Sequence, residues 1–354
     1  MARIILDALV APPGLRESAV SFVIPGRWAA LARSTDAVDP RVLLEAIGGE
    51  SGLLSAGGAE LVAAGFRPKL VERMLSARDE VSPDPFYTLG SPRYPEALLG
   101  LAQPPALVCV RGAAVGDHTG LAVVGARACT PYGRLVARRL GAQAANLGGA
   151  LVSGAARGID ESAHRGALEA GGVTIAVLGQ GLCSRASGPE ARRLHEDILN
   201  GGGSLLSELP PRDPPSKFTF PRRNRLIAAL ARATVVVEAS LQSGAMHTAK
   251  AARDLSREVW AVPGRIDAPA SAGCLLLIAE GCLCVRELVE VTSGWRRVGN
   301  DPASRLLMAL DAPRGLGEIA ARLEAPLREV LGLLTKLELT GAIVRLPDQR
   351  YALS

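Results

Sequence analysis

The sequence predicts an α/β protein with a doubly wound parallel sheet, a small helical domain before it and a winged helix after it. Three observations lead there. Short apolar runs recur through the middle of the chain, and each ends in a Gly-bearing turn. They read Val123-Val124-Gly125-Ala126-Arg127, Leu151-Val152-Ser153-Gly154-Ala155-Ala156-Arg157-Gly158 and Ile175-Ala176-Val177-Leu178-Gly179-Gln180-Gly181. Fully buried parallel strands read as continuous apolar runs, and glycine permits the tight turn into a following helix. Helical patterns lie between the runs, as βαβ units require. Arginines stand in the turns, where helix amides already favour anions.

Taken in order, residues 1–84 show short helical patterns at 41–47, 59–64 and 68–75, broken by Gly and Pro and free of strand-like alternation. A helical domain is expected there, with Ser82-Pro83-Asp84-Pro85 as its linker. The core spans 85–297. Strands are expected at 121–125, 150–153, 173–178, 204–208, 233–238 and 258–262, and helices at 132–147, 160–170, 224–232 and 245–256. Thr130 and Pro131 suit the cap and first turn of the first helix, and Asp160 the cap of the second. Residues 298–354 form the third unit. Helices are expected at 303–310, 316–323 and 326–340, the last stopped by Gly341, with a hairpin of 342–346 and 350–353 around Pro347-Asp348-Gln349.

No apolar run reaches about 18 residues, and the N-terminus lacks signal-peptide character, so a cytoplasmic protein without a membrane span is expected. The six cysteines form no CxxC pair and share no zinc spacing with the four histidines, so buried reduced thiols and no metal are expected. Net charge is +5 and unevenly spread. Residues 1–84 carry nine basic and eleven acidic side chains, 85–297 carry 24 and 17, and 298–354 carry seven of each. The positive excess coincides with the Gly turns. The neutral winged helix suits protein contact as well as DNA contact.

A phosphate-bearing ligand on the sheet edge follows, and local motifs narrow its class. The dinucleotide fingerprint GxGxxG is absent, because Gly125 is followed by Ala126-Arg127-Ala128-Cys129-Thr130. No GxxxxGK[ST] sequence occurs either, so no nucleotide cofactor is expected. The densest basic cluster is Lys217-Phe218-Thr219-Phe220-Pro221-Arg222-Arg223-Asn224-Arg225, with two of the chain's twelve aromatic rings. Cations that follow a backbone and rings that stack on bases suit single-stranded nucleic acid. The same residues equally suit a core in which the rings are buried and the arginines pair with Glu208 or Glu238. Ser243-Gly244 opens another helix on the same edge. Glu238, following three valines, could serve as a catalytic carboxylate, but it reads better as an anchor for Arg225 or a loop amide, and His164 and His247 read as structural.

These motifs resemble those of the DprA (Smf) family of DNA-processing proteins of bacterial natural transformation. The resemblance rests on Tyr94-Pro95-Glu96-Ala97-Leu98, Pro104-Pro105, Val124-Gly125-Ala126-Arg127, Ser153-Gly154-Ala155-Ala156-Arg157-Gly158-Ile159-Asp160-Glu161-Ser162-Ala163-His164, Phe220-Pro221-Arg222-Arg223-Asn224-Arg225, Glu238-Ala239, Ser243-Gly244, Pro263-Gly264 and Gly273, all in family order. It implies an extended Rossmann-like core that dimerises, with a sterile-alpha-motif-like domain in front. It also implies a protein that binds and protects single-stranded DNA and loads the RecA recombinase, with duplex DNA left open as a further ligand. The implied DNA contacts are Arg127, Ser153, Gly154, Arg157, Lys217 and Phe220, bordered by Arg222, Arg223, Asn224, Arg225, Ser243 and Gly244. Departures occur at Gly179-Gln180-Gly181-Leu182-Cys183-Ser184 and at Gly273-Cys274. The apolar run Cys274-Leu275-Leu276-Leu277-Ile278-Ala279 is the candidate dimer face. The alternative function is a nucleotide phosphoribohydrolase on the same core. Aligning Thr248 with the Thr of that family's PGGxGTxxE loop puts Ala251 where the catalytic Glu belongs, so a binding protein rather than an enzyme is expected.

Overall fold

The computed structural model describes residues 21–34, 38–113, 115, 120–292, 306, 310, 313–323, 325–339 and 343–353. At the start, strand β1 (Phe22–Ile24) pairs antiparallel with β2 (Glu80–Ser82). Between them lie five short helices, α1 (Gly26–Ala32), α2 (Pro40–Ala46), α3 (Gly49–Ser55), α4 (Gly58–Ala63) and α5 (Pro68–Ser76). The β1–β2 ladder was not expected, because three-residue strands carry too little alternation to be read. Trp28, Leu53, Leu61, Phe66, Leu70 and Met74 fill the centre of this unit, and the same apolar cluster runs on into the sheet. The link is fixed in place: Asp84 is buried and receives two hydrogen bonds of 2.6 Å from Arg111.

The main sheet has nine strands in the order β11-β10-β9-β5-β6-β7-β8-β4-β3. In chain order these are β3 (Phe86–Thr88), β4 (Leu107–Gly112), β5 (Gly120–Val124), β6 (Leu151–Ser153), β7 (Thr174–Val177), β8 (Ser204–Ser207), β9 (Ala231–Val236), β10 (Glu258–Ala261) and β11 (Leu283–Cys284). Seven are parallel, and β4 and β3 extend the β8 edge antiparallel. The chain runs outward from β5 through β6, β7 and β8, then returns to lay β9 on the other side of β5. The switch point of this doubly wound sheet therefore lies between β5 and β9, where open α/β sheets bind ligands.

Both faces are covered, as buried parallel strands demand. Alternate residues of β5 part accordingly. Leu121 and Val123 pack with α6 (Pro131–Asn146) and α7 (Ile159–Glu169). Ala122 and Val124 pack with α9 (Thr219–Leu230) and α10 (Gly244–Asp254). Thr130 caps α6 by accepting from Gly133 N at 3.1 Å, with Pro131 in the first turn. Helix α8 (Pro189–Asn200) follows the departure loop, and α11 (Ala272–Ala279) packs Cys274 and Leu277 inward.

At the C-terminal end, helices Leu316–Leu323 and Leu327–Leu339 and the hairpin Ile343–Arg345 with Tyr351–Leu353 surround their own apolar cluster. Leu306 and Leu310 join that cluster. The rest of the helix expected over 303–310, and the expected stop at Gly341, lie outside the described residues.

Candidate nucleic-acid interface

Helices α6 to α11 each follow one of the parallel strands, so their N-termini lie towards the carboxyl edge of the sheet, where first-turn amides have no intrahelical acceptor. Two hollows open there. The first, of 310 Å³, sits at the switch point between Val124 at the end of β5, Gly125 and Arg127 of the loop that follows, and Ser243, Gly244 and Thr248 at the start of α10. The second, of 400 Å³, lies over the ends of β6 and β7, beside Gly154, Arg157, Gly179, Gln180 and His195. Arg127, Ala156, Phe220 and Arg223 line both. Phe220 thus stands as the partition, with the Arg127 guanidinium carbon 5.2 Å from its ring centroid.

The turns take this shape because two glycines allow close backbone approach. Gly158 has φ +96°, and a Cβ there would lie 2.5 Å from the Ala126 carbonyl oxygen. The loop after β6 can therefore nest on the loop after β5, which puts Arg157 near Arg127. Gly154 lies directly against the guanidinium of Arg223, leaving no room for a side chain. Arg223 is buried and donates to the carbonyl oxygens of Gly154 and Val177, tying the ends of β6 and β7 together. Asp160, also buried, accepts from Gly154 N at 3.2 Å and sits in the field of Arg223. Burial pushes the Arg223 pKa down to about 10, against the pull of Asp160, and pushes that of Asp160 up.

The expected contacts divide into three groups. Arg127, Arg157, Lys217 and Gly244 are exposed, and Phe220 and Ser243 are half-buried. Ser243 Oγ caps α10 by accepting from Ala245 N at 3.3 Å. Gly154, Arg223 and Asn224 are buried in the floor of the hollows. Ser153, Arg222 and Arg225 differ from expectation, since their side chains do not line either hollow. Ser153 Oγ donates to the Val123 carbonyl at 2.6 Å and joins β5 to β6. Arg222 and Arg225 both pair with Glu208. The reason is that α9 starts at Thr219, five residues earlier than expected, so the basic run is helical. Residues three apart share a helix face, which turns Arg222 and Arg225 together towards Glu208 and leaves Arg223 and Asn224 pointing inward.

Several lining residues were not anticipated. Asp160 was read as a cap, but α7 starts at Ile159 with Gly158 before it, and the carboxylate serves the loop instead. Gln180 comes from the Gly turn after β7 that departs from the family pattern, and His195 from helix α8, which no helical pattern in the sequence announced. Burial and the nearby Arg111 push the His195 pKa down to about 4. Neither Phe218 nor Phe220 belongs to an apolar core cluster, and Phe218 is 67% exposed. Glu238 anchors a loop amide, accepting from Thr130 N at 2.8 Å and from the Thr130 hydroxyl. Thr248 lines the first hollow, but the position three residues on is Ala251, which offers no carboxylate. Among the described residues no group of three or more His, Cys, Asp and Glu could hold a metal ion, and no helix is long and apolar enough to cross a membrane.

A doubly wound sheet with helix N-termini, exposed arginines and a half-buried ring at its switch point defines an α/β protein of the Rossmann-like class. The chain belongs to the DNA recombination-mediator protein A family, whose model matches residues 85–296, and a DprA winged helix domain matches residues 298–349. It is 38% identical over 275 residues to Protein Smf of Escherichia coli K12, covering 72% of this chain and 73% of that protein. It is 44% identical over 193 residues to the putative DNA processing protein DprA of Mycobacterium tuberculosis, covering 54% of this chain but only 47% of that protein. Among solved structures it resembles DNA processing protein A of Streptococcus pneumoniae, with TM-score 0.62 and 32% identity over 73% of this chain and 92% of that one. It also resembles DNA processing protein A of Helicobacter pylori, with TM-score 0.53 and 26% identity over 59% of this chain and 94% of that one. The Helicobacter structure is described in terms of that protein's single-stranded DNA binding mode.

Proposed function

We propose that this protein binds single-stranded DNA along the switch-point edge with little sequence preference. On that edge it shields the strand and hands it to a RecA-type recombinase. The observation that carries this reading is the Arg127–Phe220 pair on the partition between two open hollows. A ring offers a stacking face to any base, and an adjacent guanidinium offers charge to any phosphate. Amides and arginines address the backbone rather than base edges, so affinity rather than sequence selection follows. The Helicobacter relative, whose binding mode is for single strands, supports the same ligand class.

On this reading the protein works in the cytoplasm as a homodimeric mediator and not as a catalyst. Two copies would supply two grooves, whose avidity exceeds the affinity of one. Leu276 on α11 is exposed while Cys274 and Leu277 face inward, so the outward side of that helix is the part available to a second copy. Hydrolysis at a glycosidic bond lacks its carboxylate at Ala251, and Glu238 is engaged by Thr130.

Two measurements test the reading. Salt-dependent titration of single- and double-stranded oligonucleotides should show single-strand binding that falls with a log–log slope of about −0.7 per phosphate neutralised. RecA filament formation on strands already coated by single-strand-binding protein should accelerate when this protein is added. Flat salt dependence would refute the groove, and unchanged filament kinetics at saturating protein would refute the mediator role alone.

A further inference from the structure

The aromatic residue two positions before the partition is also unburied, but it faces a different hollow. Phe218 precedes α9 and is held there by a local network. Its amide and that of Thr219 each donate to Ser216 Oγ at 3.2 Å, while Ser216 N donates to Thr219 Oγ1 at 2.9 Å. Successive residues of a helix turn by about 100°, so positions two apart point to nearly opposite sides. Phe220 accordingly faces the sheet edge, and Phe218 faces the seam between the N-terminal domain and the core.

A hollow of 270 Å³ lies in that seam, walled by Leu31, Leu43 and Leu70 on one side and by Phe218, Arg222 and Arg225 on the other. Its walls are fixed relative to each other. Arg33 donates at 2.8 Å and 2.6 Å to Asp213 and pairs with Glu80, and Arg222 donates to the Ser34 carbonyl at 3.0 Å. An apolar cavity of about 150 Å³ holds benzene, so this one has room for a nucleobase. The rim is positive. Two guanidinium groups share the single carboxylate of Glu208, and Lys217 Nζ lies 5.0 Å from the Phe218 ring centroid.

We propose that a bound single strand continues past Phe220 across Phe218 into this seam, so that the N-terminal domain forms part of the DNA path. Phe218 then stacks a second base, Lys217 takes the phosphate beside it, and the leucines of the N-terminal domain wall the base without adding charge. This rests on the single-strand reading above and adds length to its site. Continuity argues for DNA as the occupant: one cluster of residues, 217–220, carries both rings and the cation between the two hollows.

The test uses the full chain and oligothymidylates of about 6 and about 20 nucleotides at one salt concentration. Phe218→Ala touches an exposed ring, so the variant should fold and melt like the wild type. It should bind the long oligonucleotide roughly 5- to 100-fold more weakly, bind the short one unchanged, and recover on Phe218→Trp. A photoreactive thymine near one end of the long strand should cross-link to the N-terminal domain in the wild type. Unchanged affinity for the long strand, or equal loss at both lengths, would overturn the extended path while leaving the groove at Phe220 intact. Failure of the wild type to bind either length would overturn both readings.

Discussion

The Arg127 guanidinium carbon lies 5.2 Å from the centroid of the Phe220 ring, on the partition between the two hollows of the sheet edge. Neither group is spent on the core: Arg127 is exposed and Phe220 only half-buried. A base sliding onto the ring would meet a cation already positioned for its phosphate. Binding and stability should therefore come apart at these residues.

Phe220→Ala should remove a stacking platform worth about 1–3 kcal/mol per base. A Phe in a packed core would cost about 3–5 kcal/mol of stability on the same change. Single-strand affinity should fall while the melting temperature stays nearly unchanged. A large melting shift with preserved affinity would show that the ring is structural.

Arg127→Ala and Lys217→Glu should weaken binding to all sequences alike, since on the proposed path both groups would meet phosphates rather than base edges. Removing one such contact should lower the salt slope by about 0.7. Titrations of homopolymers and mixed sequences at several salt concentrations read both quantities. Affinity of Lys217→Glu equal to wild type would remove Lys217 from the path.

Arg223 belongs to the same motif but should behave differently. It is buried, bonds to the carbonyls of Gly154 and Val177, and faces Asp160. Arg223→Met leaves the buried carbonyls of Gly154 and Val177 without their charged donor and takes away the cation whose field Asp160 feels. An unsatisfied buried polar group typically costs about 1–3 kcal/mol. The denaturation midpoint should drop sharply, and Asp160→Asn added to Arg223→Met should recover part of it. Equal midpoints for wild type and Arg223→Met would show that this guanidinium holds nothing together.

The contrast between Arg127 and Arg223 also shows what the sequence could reveal. Strands β5 to β10 were legible to within about two residues, because strands buried on both faces read as apolar runs. The exposed arginines were legible too, since they stand beside the Gly turns. Helix α8 was not, because only Leu194 and Ile198 of its twelve residues are buried, which leaves too thin a stripe. The start of α9 was hidden by Pro221, which reads as a breaker but falls in the first turn, where no intrahelical acceptor is needed. With that start misplaced, the phase of the basic run was lost, and with it the inward turn of Arg223 and Asn224. Strand β4 carries an apolar run at Leu107-Val108-Cys109-Val110 like the parallel strands, but its antiparallel pairing with β8 and β3 joins segments distant in sequence, and no local signal reveals such a pairing.

The winged helix should be dispensable for single-strand binding. Residues 298–354 carry seven basic and seven acidic side chains, so they add no net attraction for a polyanion. A chain ending at 297 should retain most of its affinity. Collapse of affinity in a truncated chain that still melts cooperatively would make that domain a DNA reader.

The last prediction concerns acid. His164 is buried in α7, and its Nδ1 lies 2.6 Å from Thr174 Oγ1. That hydroxyl donates to the Leu151 carbonyl at 3.0 Å, so it must accept from His164, which places the imidazole proton on Nδ1. Nε2 is buried with no hydrogen-bond partner, and a second proton would have no acceptor there. Burial first, then the charges of His195 and Arg223, push the His164 pKa down to about 3. A folded-state pKa below the unfolded value of 6.5 gives a contribution present above pH 6.5 and lost as pH falls towards 3. Each pH unit in that window is worth about 1.4 kcal/mol. His164→Asn can keep a donor towards Thr174 without a group that titrates there. The variant should be less stable than wild type near neutral pH but lose less between about pH 7 and about pH 5, read as the shift in urea midpoint. Parallel losses in the two proteins would mean that His164 is already charged in the fold or does not titrate in this window.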